Sequence, residues 1–392
     1  MTQAPRIAIF ARKVITPETV IPDGVVCIEG EKILQVGRRS DVKFQDEEFQ
    51  KYQFPDQILV PGFIDLHVHG GGGRSFMEGS KDASEVVCRH LSRHGSTACL
   101  ATTVSASPIA TIQAVESLGK HVGQDLGGAT IVGLHLEGPF ISEAKRGAHL
   151  PAFIRPPSVR IFDELLRISG NTIRLITLAP ELDGAVEFIK NARRKGVFVS
   201  LGHSNATYEE ARRAIESGAS QAAHSFNAMR DFNHREPGIL GAILTDRRVW
   251  AEAIADGVHM HPVVLDILVR CKGVRKSILI TDAITAAGMP DGQYQLGDLT
   301  VNVSGGICRN LENQLAGSTL TQQQALKNVV QWTKTALEEA IYMCTLNPAE
   351  AIEIDSRKGS LDTGKDADLV VLDSDLEVSA TLSMGKWVYR RS

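Results

Sequence analysis

The sequence predicts an α/β protein whose main body is a (β/α)8 TIM barrel, with a small β-sandwich domain formed from both chain ends. Eight apolar runs recur along the middle of the chain, and helical patterns lie between most of them. Short β-rich segments occupy both ends. The 392 residues are enough for one barrel of about 250 residues and a smaller partner.

The first segment of the chain has the pattern of β-hairpins. The runs RIAIFARKVI, GVVCIEG and KILQVG are rich in β-branched residues, and turn-forming residues at 22–24 and 29–31 separate them. The C-terminal runs KGSLDTGKDADLVVLD and SATLSMGKWVYRR are similar in character. We therefore expect residues 1–60 and 346–392 to form one discontinuous β-domain. Two unrelated edge hairpins are the alternative.

The middle of the chain alternates between strand and helix patterns. Continuous apolar strands alternating with helices indicate a parallel sheet. Eight such strands favour a barrel over residues 61–345. An open, doubly wound sheet is the alternative, disfavoured because no GxGxxG motif opens a helix after the first strand. The apolar runs cover residues 58–69, 97–103, 130–137, 173–180, 197–203, 221–226, 249–256 and 277–283.

Composition excludes several classes of protein. Hydrophobic residues make up 43% and charged residues 22%, which is typical of a globular chain. A net charge of −4 and 5% aromatic residues argue against a nucleic-acid surface. No stretch reaches the ~18 apolar residues of a membrane span, and the apolar N-terminal run is too short for a signal peptide. The six scattered cysteines contain no CxxC, so we expect reduced thiols and a cytoplasmic protein.

Polar side chains lie at the predicted strand ends, where barrels of this type carry their active sites. His67 and His69 are two residues apart on a strand and therefore share a face. Histidine and carboxylate side chains in this arrangement predict a divalent metal ion, with zinc favoured and iron or manganese as alternatives. The other strand-end candidates are Glu137, His203, His224, His259 and Asp282.

The motifs at these strand ends resemble those of the N-acetylglucosamine-6-phosphate deacetylases of the amidohydrolase superfamily. HLEGPF and AAHSFNAM are specific to that family, whereas PGFIDLHxH and GKDADLVVLD are shared by much of the superfamily. The resemblance spans nearly the whole chain and implies a metal-dependent barrel with a flanking β-domain, usually a homodimer. The 173–180 run has no lysine, which separates the chain from urease-like, dihydroorotase-like and hydantoinase-like enzymes. The remaining matching motifs are LGHSNAT, REPGILGA, DGVHMHP and ITDAI.

The resemblance implies a role for each candidate residue. It assigns Asp282 as the catalytic acid and base, and His149 as a contact to the substrate carbonyl. It places one or two metal ions in each subunit. The implied ligands are Glu137, His203 and His224 for the main site, and His67 and His69 for the second. The implied sugar-phosphate contacts are Asn227, Ala228, His259 and Arg235, the last reaching in from the neighbouring subunit.

The implied activity is hydrolysis of N-acetylglucosamine 6-phosphate to glucosamine 6-phosphate and acetate. Two alternatives stay open: a deacetylase for the galactosamine epimer or another N-acylated amine, and a metal-free scaffold protein of the same superfamily. Because every ligand position is intact, the scaffold is disfavoured. Three candidates also have a purely structural alternative. These alternatives are a helix N-cap for Asp282, a surface ion-pair residue for Arg235 and a solvated loop residue for His149. LAGSTL, residues 315–320, is a candidate closing element over the substrate.

Overall fold

The computed structural model describes residues 5–16, 18–43 and 49–391. Residues 1–4, 17, 44–48 and 392 of the predicted β-domain lie outside the described residues. The strands are β1 (Arg6–Ile15), β2 (Val20–Glu29), β3 (Lys32–Arg38), β4 (Gln50–Pro61), β5 (Phe63–Val68), β6 (Gly70–Gly71), β7 (Arg74–Ser75), β8 (Ser96–Thr103), β9 (Thr130–Glu137), β10 (Ile173–Leu178), β11 (Phe198–Leu201), β12 (Gln221–Ala222), β13 (Trp250–Ile254), β14 (Ser277–Ile280), β15 (Gly292–Leu296), β16 (Leu299–Ser304), β17 (Ile307–Asn310), β18 (Leu369–Leu372), β19 (Val378–Ser383) and β20 (Lys386–Arg390).

The helices lie mostly between the barrel strands. Several begin at a serine or threonine whose hydroxyl accepts a hydrogen bond from the first turn, as at Ser80, Ser107 and Thr207. The helices are α1 (Lys81–Arg93), α2 (Pro108–His121), α3 (Val159–Ile168), α4 (Ala185–Arg194), α5 (Tyr208–Glu216), α6 (Gly238–Thr245), α7 (Pro262–Lys272), α8 (Gln322–Thr333), α9 (Leu337–Ala340) and α10 (Leu346–Ala351). None of the described helices is both long and apolar enough to cross a bilayer.

The central sheet is an eight-stranded parallel barrel, as the sequence predicts. Its strand order is β5-β8-β9-β10-β11-β12-β13-β14, and a helix follows each strand. Beyond the last strand the barrel closes on the first. The Asp282 N–H donates to the His67 carbonyl at 2.8 Å, and the His69 N–H donates to the Ala283 carbonyl at 2.8 Å. The first apolar run divides at Gly62, which separates β4 of the end sheet from β5 of the barrel.

The two chain ends form one seven-stranded sheet in the order β3-β2-β1-β4-β18-β19-β20. β1 and β4 run parallel, and the other neighbours are antiparallel. The sheet encloses its own apolar core, as expected for a small β-sandwich; that core includes Ile9, Val26, Leu59, Val371 and Leu382. We propose that residues 1–60 and 346–392 form one domain and that residues 61–345 form the barrel.

One predicted turn is wrong. Residues 22–24 do not separate two strands, because they lie within β2, where Pro22 pairs with Lys13 of β1. The pairing of β2 with β3 extends only to Gly24. Pro22 therefore lies where β2 has a neighbour on one side only, the position in which a sheet tolerates proline. The second predicted turn, at residues 30 and 31, does connect β2 to β3.

A three-stranded antiparallel sheet, β15-β16-β17, follows the last barrel strand. The sequence predicted only a closing element at residues 315–320, directly after this sheet. The sheet has its own apolar cluster, which includes Leu296 and Val301 and packs against Val104 and Ala148. Those two residues belong to loops that follow barrel strands β8 and β9. The sheet therefore lies against the end of the barrel where the candidate site residues are found.

A buried ion cluster joins the chain ends. Lys358 bonds Asp368 and lies 3.2 Å from Asp366, and all three side chains are buried. Lys32 reaches Asp366 from the N-terminal half of the sheet at 2.7 Å. A buried carboxylate is stable only while it keeps a partner, so this cluster holds the segment before β18 against β3.

We predict that Lys358→Met lowers the free energy of unfolding by about 3–5 kcal/mol, because it leaves the buried Asp368 carboxylate without its cation, although Asp366 keeps its ion pairs with Lys32 and Arg357. Urea denaturation followed by circular dichroism measures this loss. Lys386→Met is the matched control, since it removes an exposed ion pair with Asp125 and is expected to cost at most about 1 kcal/mol. Equal losses in the two variants would contradict a structural role for the buried cluster.

Candidate active site

The barrel opens into a pocket at the carboxyl ends of its strands. Every candidate site residue except His67 and Arg235 lines this pocket. His67 is fully buried below it. The other walls come from Val104, from the loop after β9, and from residues 296–299 and 314–317 in and beside the three-stranded sheet.

Glu137, at the end of β9, lies at the centre of a shell of imidazoles. Its carboxylate is nearly buried. Burial raises the pKa of Glu137, but the surrounding imidazoles, first of all His67, outweigh it, so the pKa lies well below its usual range. The carboxylate is therefore ionised. The distances from its oxygens to the Nε2 atoms are 3.2 Å for His67, 3.3 Å for His69, 3.4 Å for His149, 3.1 Å for His203 and 3.0 Å for His224.

One set of donors combines Glu137 with His203 and His224. The Glu137 Oε1 atom lies 3.1 and 3.0 Å from the two Nε2 atoms, which are themselves 3.1 Å apart. The His203 Nδ1–H donates to the Lys145 carbonyl at 3.0 Å, which leaves its Nε2 lone pair facing the pocket. Zinc–nitrogen bonds of about 2.0–2.1 Å in a tetrahedron place the nitrogens at about this separation. The donor set fits a divalent ion.

His203 is in the protonation state that a ligand requires. Burial lowers the pKa of His203 to about 4 by opposing the charged form. The imidazole is therefore neutral near pH 7, as metal binding demands.

A second set of donors combines His67, His69 and Asp282. The Asp282 Oδ1 atom lies 3.1 Å from the His69 Nε2 atom and 3.7 Å from the His67 Nε2 atom. The buried His67 Nε2 atom has no hydrogen-bond partner among the described residues. Burial lowers the pKa of His69, but Asp282 and Glu137 outweigh it and raise the value to about 9. These carboxylates attract a cation, whether a proton or a metal ion.

The whole arrangement matches a known family. The family model for the Amidohydrolase family matches residues 58–388, which is most of the chain. The chain belongs to the amidohydrolase family. Membership implies a divalent metal ion, and the histidine, glutamate and aspartate side chains of this site include groups that could hold one.

Relatives of this amidohydrolase are sugar-phosphate deacetylases. It is 40% identical over 331 residues to N-acetylgalactosamine-6-phosphate deacetylase of Escherichia coli O157:H7, covering 84% of this chain and 87% of the relative. It is 40% identical over 334 residues to N-acetylglucosamine-6-phosphate deacetylase of Vibrio furnissii, covering 84% of this chain and 83% of the relative. The solved complex of a mutant N-acetyl-D-glucosamine-6-phosphate deacetylase of Mycobacterium smegmatis with N-acetyl-D-glucosamine-6-phosphate superposes with a TM-score of 0.92 at 35% identity, covering 98% of this chain and 99% of that one.

The amidohydrolase positions Asp282 through the closure of its barrel. Asp65, His67 and His69 alternate along β5 and its end, so all three face the barrel interior. The Asp65 carboxylate accepts hydrogen bonds from the Thr281 hydroxyl at 2.6 Å and from the His67 N–H at 3.2 Å. Asp282 then turns out of the wall in the left-handed region, at φ 51°. We did not single out Asp65 from the sequence, although its two-residue spacing from His67 was the signal that could have found it.

His149 is held in one tautomer. The Ser105 N–H donates to its Nδ1 atom at 3.3 Å, so in the neutral ring the proton is on Nε2. That Nε2 atom lies 3.4 Å from Glu137 and faces the pocket. His149 is nearly buried, which argues against a solvated loop residue. It can donate a hydrogen bond to an oxygen atom in the pocket.

His259 and Asp256 form an ion pair at the pocket wall. Their Nδ1 and Oδ2 atoms are 2.6 Å apart, and the Asp256 carboxylate also accepts hydrogen bonds from the N–H groups of Val258 and His259. Burial lowers the pKa of His259, but the contact with Asp256 outweighs it, so the pKa is raised. His259 is thereby suited to an anionic or hydroxyl group, and Asp256, to which the sequence analysis gives no role, favours the charged form of His259.

The remaining candidates divide into two groups. Asn227 and Ala228 line the pocket. The Asn227 Nδ2 atom donates to the carbonyls of His224 and Ser225, and its side-chain oxygen takes no part in these two hydrogen bonds. Arg235 is exposed in the loop between β12 and α6 and does not line the pocket of its own chain. A single chain therefore does not bring Arg235 to the other candidates.

We predict that Asp256→Asn lowers the pKa of His259, because the amide removes the negative charge that favours the imidazolium. In the wild type, the raised pKa keeps His259 protonated to a pH above its unfolded value of about 6.5. The stabilisation from this pair is thus fully present below pH ~6.5 and is lost as the pH rises through the folded value. A pH titration of histidine side-chain NMR signals measures the change, with His259→Gln to assign the resonance. An unchanged titration in Asp256→Asn would show that the pair does not control the charge of His259.

Proposed function

We propose that this amidohydrolase hydrolyses the acetamide group of N-acetylglucosamine 6-phosphate to give glucosamine 6-phosphate and acetate. The supporting observation is the position of the Asp282 carboxylate, which belongs to the second donor set and lines the pocket together with Glu137, His203 and His224 of the first. The relatives in Vibrio furnissii and Mycobacterium smegmatis, both N-acetylglucosamine-6-phosphate deacetylases, support the choice of substrate.

An amide needs both activation of its carbonyl and protonation of its leaving amine. A divalent ion held by Glu137, His203 and His224 would supply a Lewis acid for the carbonyl and would lower the pKa of water to about 7. Burial raises the pKa of Asp282, but the hydrogen bond from His69 and the charges of His67 and His69 outweigh it and lower the value to about 2. Asp282 is therefore ionised and accepts a proton from the attacking water. It then donates this proton to the departing amine.

His149 stabilises the oxygen that gains negative charge during the attack. Because Ser105 occupies its Nδ1 atom, its Nε2–H is available as a donor. A donor already held in place costs little reorganisation when the charge develops.

We propose that His259, Asn227 and Ala228 contact the sugar phosphate and that Arg235 contributes from the neighbouring subunit of a homodimer. The exposure of Arg235 outside its own pocket supports this assignment. A guanidinium presents a planar fork of donors that suits a phosphate group. The phosphate lies away from the reacting amide and orients it.

We further propose zinc as the metal, with two ions in each chain. Glu137, His203 and His224 bind the first, and His67, His69 and Asp282 surround the second. Mixed imidazole and carboxylate donors suit zinc, with iron and manganese as alternatives. A cytoplasmic location is also part of the proposal, supported by the free thiol state of all six cysteines.

A second candidate function is deacetylation of N-acetylgalactosamine 6-phosphate. The specific observation in its favour is the 40% identity to the deacetylase of that epimer in Escherichia coli O157:H7. The two substrates differ in the stereochemistry of one hydroxyl, so the same catalytic residues serve both.

We expect wild-type enzyme to release acetate from N-acetylglucosamine 6-phosphate with a kcat/KM above that for the galactosamine epimer and for unphosphorylated N-acetylglucosamine. Acetate assays on the three sugars, with metal content measured on the same sample, test this. Asp282→Asn is expected to lower kcat by about 10²–10⁴ while keeping its metal. Equal turnover of the unphosphorylated sugar would refute the phosphate contacts, and an undiminished kcat in metal-loaded Asp282→Asn would refute the acid and base role.

Mixing two inactive variants tests the contribution of Arg235 across the dimer. We expect Arg235→Ala and Asp282→Asn each to be impaired alone and to regain activity after subunit exchange. A mixed dimer then contains one site with both residues, so about a quarter of all sites are intact in an equal mixture. Acetate release before and after exchange measures the recovery. No recovery in a mixture shown to contain mixed dimers would place Arg235 in its own subunit's site or outside the reaction.

A further inference from the structure

Glu252, on β13, is a buried carboxylate to which neither the sequence motifs nor the proposed mechanism assigns a role. Its side chain is fully buried and contacts His67, which lies below the pocket. Its Oε2 atom lies 3.3 Å from the His67 Nδ1 atom and 3.3 Å from the His224 backbone nitrogen. Its Oε1 atom has no hydrogen-bond partner among the described residues. A charge buried with so few partners is costly, so its retention needs a compensating interaction.

The direction of these hydrogen bonds is determined by the His224 backbone. An N–H group can only donate, so the Glu252 Oε2 atom acts as an acceptor there. The same oxygen faces the His67 Nδ1 atom, which therefore carries a proton. When Nδ1 carries the only ring proton, the Nε2 atom of His67 has a lone pair that a metal ion can share. That lone pair is directed to the space between Glu137 and Asp282, which lie 3.2 and 3.7 Å from it.

The buried negative charge of the barrel also favours a second cation. The carboxylates of Asp65, Glu137, Glu252 and Asp282 are all buried or nearly so, and within the described ranges no buried lysine or arginine accompanies them. Lys358, the buried lysine of the described chain, is committed to Asp366 and Asp368 in the end sheet. A second divalent cation would offset negative charge in the barrel for which the described residues provide no buried lysine or arginine.

We infer that Glu252 is a positioning residue that presents the His67 Nε2 atom to a second divalent cation and contributes negative charge that favours this cation. This inference rests on the proposed two-ion site and deepens it. Carboxylates that hold the far nitrogen of a ligand histidine typically change metal affinity by about 10–100-fold when they are removed. Glu252 acts through His67 and does not itself contact the substrate.

Zn²⁺ binding to the full-length enzyme tests the inference. Metal-free wild type, Glu252→Gln and Glu252→Met are titrated with Zn²⁺ against a chelator of known affinity, and metal content is measured after equilibration. We expect two ions per chain in the wild type and a second ion bound about 10–100-fold more weakly in Glu252→Met. Glu252→Gln should lie between them, because its amide oxygen accepts from His67 but carries no charge.

Gln221→Met is the matched control. Gln221 lies on the adjacent strand β12 and is fully buried. The methionine substitution removes one hydrogen bond, which the Gln221 Nε2 atom donates to the Ala351 carbonyl. This hydrogen bond goes to a backbone carbonyl and not to a candidate ligand, so both ions should bind as in the wild type. Equal weakening in Gln221→Met and Glu252→Met would overturn the inference. Two other results would also overturn the inference. One is a wild-type enzyme that binds a single ion. The other is a Glu252→Met variant that binds the second ion as tightly as the wild type does, or as tightly as Glu252→Gln does.

This outcome is separable from the proposed function. If the wild type binds two ions and releases no acetate from any of the three sugars, the function fails while the role of Glu252 stands. If acetate is released but Glu252→Met keeps both ions at wild-type affinity, the inference about Glu252 fails while the function stands.

Discussion

The closure of the barrel between its first and last strands is the constraint on which the site depends. The backbone bond from Asp282 to His67 joins the two residues that carry much of the proposed chemistry. The Asp65 carboxylate reinforces the same junction through Thr281. Because these bonds are part of the barrel wall, the distance between the acid and the histidines is set by the fold itself. This distance does not depend on the conformation of a flexible loop or of a long side chain.

The protein compensates buried negative charge in two different ways. In the end sheet, Lys358 provides a permanent cation for Asp366 and Asp368. In the barrel, the carboxylates face imidazoles, whose charge can be replaced by that of a metal ion. A lysine among the barrel carboxylates would neutralise their charge, but a metal ion could not take its place. The choice of side chain therefore separates a structural ion cluster from a catalytic one.

Much of the fold follows from the sequence because a continuous apolar run must be buried on both faces. The two-residue spacing of His67 and His69 likewise predicts that both face the same side of a strand. The alternating pattern of β15 to β17 was missed because its strands are short and half exposed. Glu252 was missed because one acid within an apolar strand carries no spacing signal. The proposed role of Glu252 depends on its contact with His67, which is 185 positions away in the chain.

The three-stranded sheet beside the pocket packs around an apolar cluster of its own, separate from the barrel core. The pocket-facing residues Leu296 and Leu299 belong to this sheet and lie outside the barrel core. The same cluster contains Ile284 and Ala286, which follow Asp282 closely in the chain. Substitutions in the sheet therefore reshape the pocket wall without entering the barrel core, whereas those that disturb the cluster also reach the segment that carries Asp282.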